Sequence, residues 1–101
     1  MALVDSVLVE SERLSGQNVL ITGAGGRIGS AVAKKVLSLG GKVLLCDISS
    51  ASLKSLILDL SPLGPENIYS IVADSSIAAG IDSLVSIACS SVGRIDAAVH
   101  C

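Results

Sequence analysis

A glycine-rich segment early in the chain has the residue types and spacing of a phosphate-binding turn. It runs from Ile21 to Gly29 and reads ITGAGGRIG, with glycines at positions 23, 25, 26 and 29. Glycine allows a sharp turn, a close approach of the backbone to an anion and tight packing of the next helix. The amide groups of that helix's first turn, at the positive end of its dipole, are then free to hold a pair of phosphates.

Polar residues end each of the four strands that the sequence predicts. In chain order they are Thr22 and Gly23, Asp47, Asp74 and Ser75, and His100 and Cys101. The carboxyl ends of parallel strands meet at one edge of a sheet, and ligands of open α/β sheets bind there. One dinucleotide lying across that edge could therefore touch all four strand ends.

Asp47 indicates which dinucleotide. It lies 18 residues beyond Gly29 at the end of an apolar run, where a carboxylate can accept both hydroxyls of an adenosine ribose. This favours NAD over NADP, because a 2′-phosphate would place negative charge against the carboxylate. Arg27 is the cation near the turn, so use of NADP is left open. The alternative interpretations of Asp47 are a helix N-cap or a solvated strand end.

Asp74 has two compatible interpretations. Its carboxylate could accept a hydrogen bond from the amino group of adenine. It could also cap a helix beginning at Ser75 or Ser76, since aspartate is among the best N-caps. One oxygen can serve each purpose, so both interpretations stay open.

The elements that must position these residues alternate between strand and helix. Short apolar runs predict strands over 18–22, 42–47, 67–73 and 95–100, and helical periodicity predicts helices over about 27–39, 50–60 and 76–92. Right-handed crossovers then favour the strand order 3-2-1-4. The predicted fold class is α/β, a Rossmann-type three-layer sandwich on a parallel sheet of about four strands.

The predicted sheet is an incomplete doubly wound fold, because the fourth strand, which ends at Cys101, has no neighbour on its outer side. We expect a fragment or a truncated gene product. The predicted organisation is an N-terminal arm over residues 1–15 and an NAD(P)-binding Rossmann half-domain over residues 16–101. An exposed strand edge could pair with another copy, so a homo-oligomer is left open.

Composition excludes several partners. The chain has 101 residues, half of them apolar, which suits one globular domain. Its seven basic and nine acidic residues are scattered and it has one aromatic residue, so we expect no nucleic-acid partner. Mean hydropathy is +0.76, but no apolar run reaches the roughly 18 residues of a membrane span. The segment Met1–Glu10 has no basic start and does not resemble a targeting peptide, so we expect a cytoplasmic protein.

Other site types lack the residues that they need. The turn ends in Ile-Gly-Ser without the lysine of a P-loop, and no nucleophile elbow accompanies His100, which we interpret as a packed, hydrogen-bonded residue. The three cysteines are too far apart to predict a disulfide or a metal site. We expect all of them to be small buried apolar residues; they are Cys46, Cys89 and Cys101.

From about Leu14 to Cys101 the chain resembles the short-chain dehydrogenase/reductase family. The turn is similar to the family's glycine motif, and the segment from Ile95 to Cys101 is similar to the one that runs into its Asn-Asn-Ala-Gly motif. The commoner branch of the family has glycine where this chain has Arg27. The spacing resembles instead the extended branch, whose members often act on nucleotide sugars, whereas the long third helix resembles the commoner branch. The subfamily is left open.

The resemblance implies NAD binding and hydride transfer between nicotinamide and a carbonyl or alcohol carbon. The implied cofactor-binding residues are Gly23, Gly25, Gly26, Arg27, Ile28, Gly29, Asp47, Ile48, Asp74, Ser75 and Cys101. The family's catalytic serine, tyrosine and lysine follow the fourth strand, so no catalytic residue is assigned, and Tyr69, with alanine four residues later, does not match. We expect this chain alone to be inactive and the small-molecule substrate to bind only in the intact parent. A non-enzymatic dinucleotide-binding or regulatory protein is the alternative.

Overall fold

The computed structural model describes residues 14–74 and 76–101. Most of the predicted N-terminal arm, residues 1–13, therefore lies outside the described residues, as does Ser75. The strands are β1 (Asn18–Thr22), β2 (Lys42–Asp47), β3 (Ile68–Val72) and β4 (Ala97–His100). The helices are α1 (Arg27–Ser38), α2 (Ser50–Leu60) and α3 (Ala78–Val92), with two 3₁₀ turns, Ser61–Leu63 and Pro65–Asn67, between α2 and β3.

The four strands form one parallel sheet in the order β3-β2-β1-β4, as the sequence predicted. Both central strands are covered on both faces, which explains why β1 and β2 are nearly unbroken apolar runs. Helices α1 and α2 pack on one face, against residues such as Ile21 and Leu45. Helix α3 packs on the other, against Leu20 and Leu44. The result is the expected three-layer sandwich, with the carboxyl ends of all four strands at one edge.

Helix α3 begins at Ala78, two residues later than the sequence predicted, and its N-cap Ile77 offers no side-chain hydrogen bond. Packing explains why this helix contains a glycine, Gly80. A Cβ added at Gly80 would lie 1.8 Å from the carbonyl oxygen of Asp74, so only glycine lets the first turn of the helix approach the end of β3 this closely.

The apolar residues that recur at helical spacing along α3 are only partly buried. Leu84 and Ala88 pack into the core, but Ile77, Ile81 and Val85 are 53%, 45% and 45% exposed. The reason is the position of β4 at the edge of the sheet. Within the described ranges, 14–74 and 76–101, β4 pairs with β1 alone, so that end of the helix has little sheet beneath it.

The prediction that all three cysteines are buried was wrong for two of them. Cys46 is buried in the central strand β2, but Cys89 and Cys101 are exposed. Cys89 lies on the exposed side of α3. This helix is apolar on more than the one side that it buries against the sheet. Cys101 follows the edge strand β4, which is exposed along most of its length.

The amino ends of β1 and β4 are joined by a small polar network. The Asp96 carboxylate accepts hydrogen bonds from the Asn18 backbone N–H (2.7 Å) and from Arg94 Nε (2.7 Å). The Asn18 side-chain amide donates to the Arg94 carbonyl (2.9 Å). These bonds fix the register in which Val19 lies opposite Ala97.

Acid should weaken this join. Donation from the Asn18 amide, and then from the Arg94 guanidinium, lowers the pKa of Asp96. A group whose pKa is lower in the folded state stabilises the fold above its unfolded pKa of about 4 and loses that effect as the pH falls through the folded value. Asp96→Asn should therefore lower the melting temperature at neutral pH and flatten its decline below about pH 4. Calorimetry at several pH values checks this, with Asp82→Asn on exposed α3 as control; identical profiles for wild type and Asp96→Asn would contradict it.

Among the described residues, no helix has both the length and the apolar character needed to cross a membrane.

Candidate dinucleotide-binding site

The glycine turn between β1 and α1 requires glycine at its first and last positions. Gly23 has a φ of +66°, and a Cβ there would lie 2.6 Å from the carbonyl oxygen of Cys101. A Cβ on Gly29 would lie 2.6 Å from the Gly23 carbonyl oxygen and 2.8 Å from Cα of Ala24. The turn and the first turn of α1 are thus packed backbone against backbone.

The two middle glycines, Gly25 and Gly26, differ in whether the structure requires glycine there. Gly26 has a φ of −79°, and a Cβ there would lie 3.4 Å from the nearest atom outside its neighbours. The conformation of Gly26 is therefore open to any residue, and neither the turn nor the packing requires glycine there. Gly25 is needed for packing, because a Cβ would lie 2.6 Å from Cβ of Ser52 in α2.

The amide groups of the turn itself are already used. Ala24 N–H donates to the Cys46 carbonyl (2.9 Å), and Gly26 N–H donates to the Gly23 carbonyl (3.1 Å). Gly25 N–H donates to Oδ2 of Asp47 (2.9 Å). These bonds hold the turn in shape and occupy the amides of Ala24, Gly25 and Gly26.

The amides of the first turn of α1, in contrast, have no hydrogen-bond acceptor among the described residues. They are the N–H groups of Arg27, Ile28 and Gly29, as expected at a helix N-terminus. No acidic residue lies in this turn and no side chain caps it. These three donors at the positive end of the helix dipole form the place where an anion can bind.

Asp47 lies beside this turn, at the end of β2. Its Oδ2 accepts from Gly25 N–H, and its Oδ1 accepts from Ser49 N–H (3.0 Å). The N-cap interpretation of Asp47 is wrong, because the Ser49 hydroxyl caps α2 by accepting from Ser52 N–H (3.2 Å). Each carboxylate oxygen keeps a further lone pair, so Asp47 can position the turn and still accept from a ribose hydroxyl.

A cleft of about 140 Å³ opens at this edge of the sheet. It brings together Gly23, Asp47, Ile48 and Asp74, which are far apart in the sequence but were predicted to share a site. Ala73 and Ser76, which were not predicted, complete its lining. Ile48 is 67% exposed and forms an apolar wall that suits the face of a base.

Asp74 does not cap α3. Its Oδ1 accepts from the backbone N–H (2.9 Å) and the hydroxyl (2.5 Å) of Ser76, which precedes the helix. These two donors, the hydroxyl first, lower the pKa of Asp74, so the group is an ionised hydrogen-bond acceptor at neutral pH. Its Oδ2 is left for a donor in the cleft, such as an amino group.

The ends of β1 and β4 lie side by side at the same edge. The Thr22 hydroxyl is 2.7 Å from Nδ1 of His100, and Cys101 N–H donates to the Thr22 carbonyl (3.1 Å). His100 is hydrogen-bonded, as the sequence suggested, although it is exposed rather than packed. Because its amide is used, Cys101 can offer a ligand at this edge its carbonyl group, beside Gly23, and its side chain.

A second cleft, of about 370 Å³, was not predicted. It lies between α1 and α2 and is lined by Gly25, Ser30, Ala51, Ser52, Ser55, Leu56 and Asp59. None of these lining residues is basic. The signal for it was the spacing of Ser52, Ser55 and Asp59, which puts three polar groups on one face of a helix.

The comparisons with known proteins agree with this geometry. The family model described as short chain dehydrogenase matches residues 17–101. A reductase of Mycobacterium tuberculosis that acts on a hydroxy-methyl-oxo-hexahydro-indene-carboxyl-CoA is 33% identical over 88 residues, which are 86% of this chain and 34% of that protein. This chain therefore spans about a third of the length of that curated relative.

Solved structures show the same fold at similar identity. A 3-ketoacyl-(acyl-carrier-protein) reductase from Brucella melitensis, complexed with NADH, matches with a TM-score of 0.74 and 31% identity over 83% of this chain and 33% of that one. A metagenomic short-chain oxidoreductase in complex with NADP matches with a TM-score of 0.76 and 32% identity over 84% of this chain and 38% of that one. The chain belongs to the short-chain dehydrogenase/reductase family, and it carries the NAD(P)-binding Rossmann portion of that fold.

Proposed function

We propose that this chain binds NAD across the carboxyl edge of its sheet, as the coenzyme half of an oxidoreductase. The observation that carries the proposal is the pairing of three unused amides, at Arg27, Ile28 and Gly29, with Asp47 at the end of the next strand. The amides suit a pyrophosphate and the carboxylate suits the adjoining ribose. Asp47 also links these two parts of the site, because it accepts a hydrogen bond from Gly25 N–H and so holds the turn in place.

The adenine would lie in the smaller cleft, against Ile48. Asp74 keeps one carboxylate oxygen for the adenine amino group, and its lowered pKa supports that role. Ser75, the residue before Ser76 in the sequence, is the remaining proposed contact. The Cys101 carbonyl, beside Gly23, would face the nicotinamide ribose.

Charge favours NAD over NADP. A 2′-phosphate on the adenosine ribose would bring further negative charge against the Asp47 carboxylate. The larger cleft next to Gly25 adds hydroxyl groups and Asp59 but no cation among its lining residues. The solved relatives include both an NADH and an NADP complex, so the preference for NAD rests on the residues of this chain.

NAD supplies the acceptor for a hydride, and the parent protein would exchange that hydride with an alcohol or carbonyl carbon. The residues of this chain bind and orient the coenzyme. Tyr69 does not match the family's proton donor, since it lies within β3 opposite Leu44 and the residue four positions later is Ala73 rather than lysine. We therefore expect the 101-residue chain to bind coenzyme without turning over any alcohol.

Titration calorimetry with NAD and NADP tests the proposal. We expect saturable binding of one NAD per chain, and an affinity for NADP that is lower by about tenfold, because one charge repulsion of roughly 1.4 kcal/mol gives that ratio. Binding of neither coenzyme to the folded chain would contradict the proposed function. Tighter binding of NADP would contradict the role of Asp47. Turnover of any alcohol in a panel would contradict the proposal that this chain binds coenzyme without catalysis.

A further inference from the structure

Arg27 is a cation at the mouth of the site that the fold does not use. It is the first residue of α1 and is exposed. Across residues 14–74 and 76–101, its side chain makes no hydrogen bond or ion pair. Arg94 makes a useful contrast, because its guanidinium lies 2.6 Å from the Asp96 carboxylate and has a structural role.

The surroundings of Arg27 attract an anion. The first turn of α1 contains no acidic residue; the Asp47 carboxylate of the site lies instead at the end of β2, where it accepts from the amides of Gly25 and Ser49. The unused amides of Arg27 itself, Ile28 and Gly29 lie at the same place. Side-chain charge, backbone donors and helix dipole therefore all favour negative charge at this point.

Two phosphate groups of a dinucleotide could be its partner, and the fold separates them. The 2′-phosphate of NADP would be attached to the ribose beside Asp47, at the end of β2. The pyrophosphate, common to NAD and NADP, would lie against the first turn of α1, where Arg27 is the first residue. A guanidinium can bind phosphate oxygens through two parallel hydrogen bonds, which a glycine at this position does not provide.

We propose that the Arg27 guanidinium binds the coenzyme pyrophosphate, and that it strengthens binding of NAD and NADP equally rather than selecting between them. This inference rests on the proposed function. It has two consequences. Selection between the coenzymes falls to Asp47 alone. Part of the coenzyme affinity is an ionic interaction, which salt weakens.

The test is the affinity of Arg27→Gln for NAD, NADP and ADP-ribose, measured by calorimetry at two or more salt concentrations. We expect a loss of about tenfold for each of the three ligands, since hydrogen bonds to charged groups are worth that factor or more. Arg27→Lys should recover part of the loss. The salt dependence of the affinity should be weaker in Arg27→Gln than in wild type. Lys34→Gln, which removes one exposed charge from the same helix, is the control and should change neither affinity nor salt dependence.

A loss confined to NADP would overturn the inference and assign Arg27 to the 2′-phosphate. Unchanged affinity for all three ligands would overturn it as well. Either result leaves the proposed function standing, because wild type would still bind NAD. If wild type binds none of the three ligands, both proposals fail.

Discussion

Replacing Gly29 by alanine is expected to destabilise the fold by about 1–3 kcal/mol, the usual cost of overpacking, and to abolish measurable binding of NAD. The added Cβ would lie 2.6 Å from the Gly23 carbonyl oxygen and 2.8 Å from Cα of Ala24. Both atoms belong to the backbone, so neither can rotate away. The helix must move from the turn, and its free amides move with it.

Gly26→Ala is the matched control for this effect. A Cβ at that position would meet the Gly23 carbonyl oxygen at 3.4 Å, an ordinary contact, and the φ of −79° suits alanine. We expect Gly26→Ala to keep the wild-type melting temperature and Gly29→Ala to lower it. Thermal unfolding with and without NAD measures both. Equal stability and equal NAD affinity of the two variants would show that close packing of α1 on the turn does not build the site.

The second large effect is expected at Asp47. Asp47→Ala should weaken NAD binding by about ten- to a hundredfold, because a charged hydrogen-bond acceptor is lost from a partly buried site. It also frees the amides of Gly25 and Ser49, so part of the loss would come from a less ordered turn. Asp47→Asn separates the two contributions, since its carbonyl oxygen can still accept from one of those amides.

Asp47→Asn should lose affinity for NAD while keeping or gaining affinity for NADP, because the negative charge facing the 2′-phosphate is gone. The ratio of the two dissociation constants is the quantity to measure. Asp82→Asn, which removes an acid from the exposed side of α3, should leave the ratio unchanged. If Asp47→Asn keeps the wild-type ratio, the carboxylate does not face the adenosine ribose.

The sequence predicted the interior of the sheet well, because burial on both faces leaves an unambiguous signal. The bounds of β1 and β2 were predicted to the residue, since each is a continuous apolar run ended by a polar residue. The edges were less well predicted. Strand β4 is two residues shorter than the apolar run that contains it, because pairing with β1 extends only from Val19 to Thr22.

The sequence predicted which residues form the site better than it predicted their hydrogen bonds. Gly23, Asp47, Ile48 and Asp74 do line one cleft, because parallel topology alone brings strand ends together. Which amide each carboxylate accepts from depends on loop geometry that no local pattern encodes. That is why the bond between Asp47 and Gly25 was missed.

Glycine positions illustrate the same limit. A glycine motif records where side chains are absent but not why. Gly23 is required by its positive φ, Gly25 by the nearby Ser52, Gly29 by the backbone of the turn, and Gly26 by none of these. Distances to atoms far apart in the chain were needed to separate the four reasons.

The most direct measurement is an amide nuclear magnetic resonance titration of the chain with NAD. We predict that the N–H resonances of Arg27, Ile28 and Gly29 shift together and saturate at one equivalent, while those of Ala24 and Gly26, already bonded within the turn, shift less. If NAD saturates the protein and leaves those three amides unmoved, the coenzyme phosphates do not bind at the start of α1 and the account is wrong.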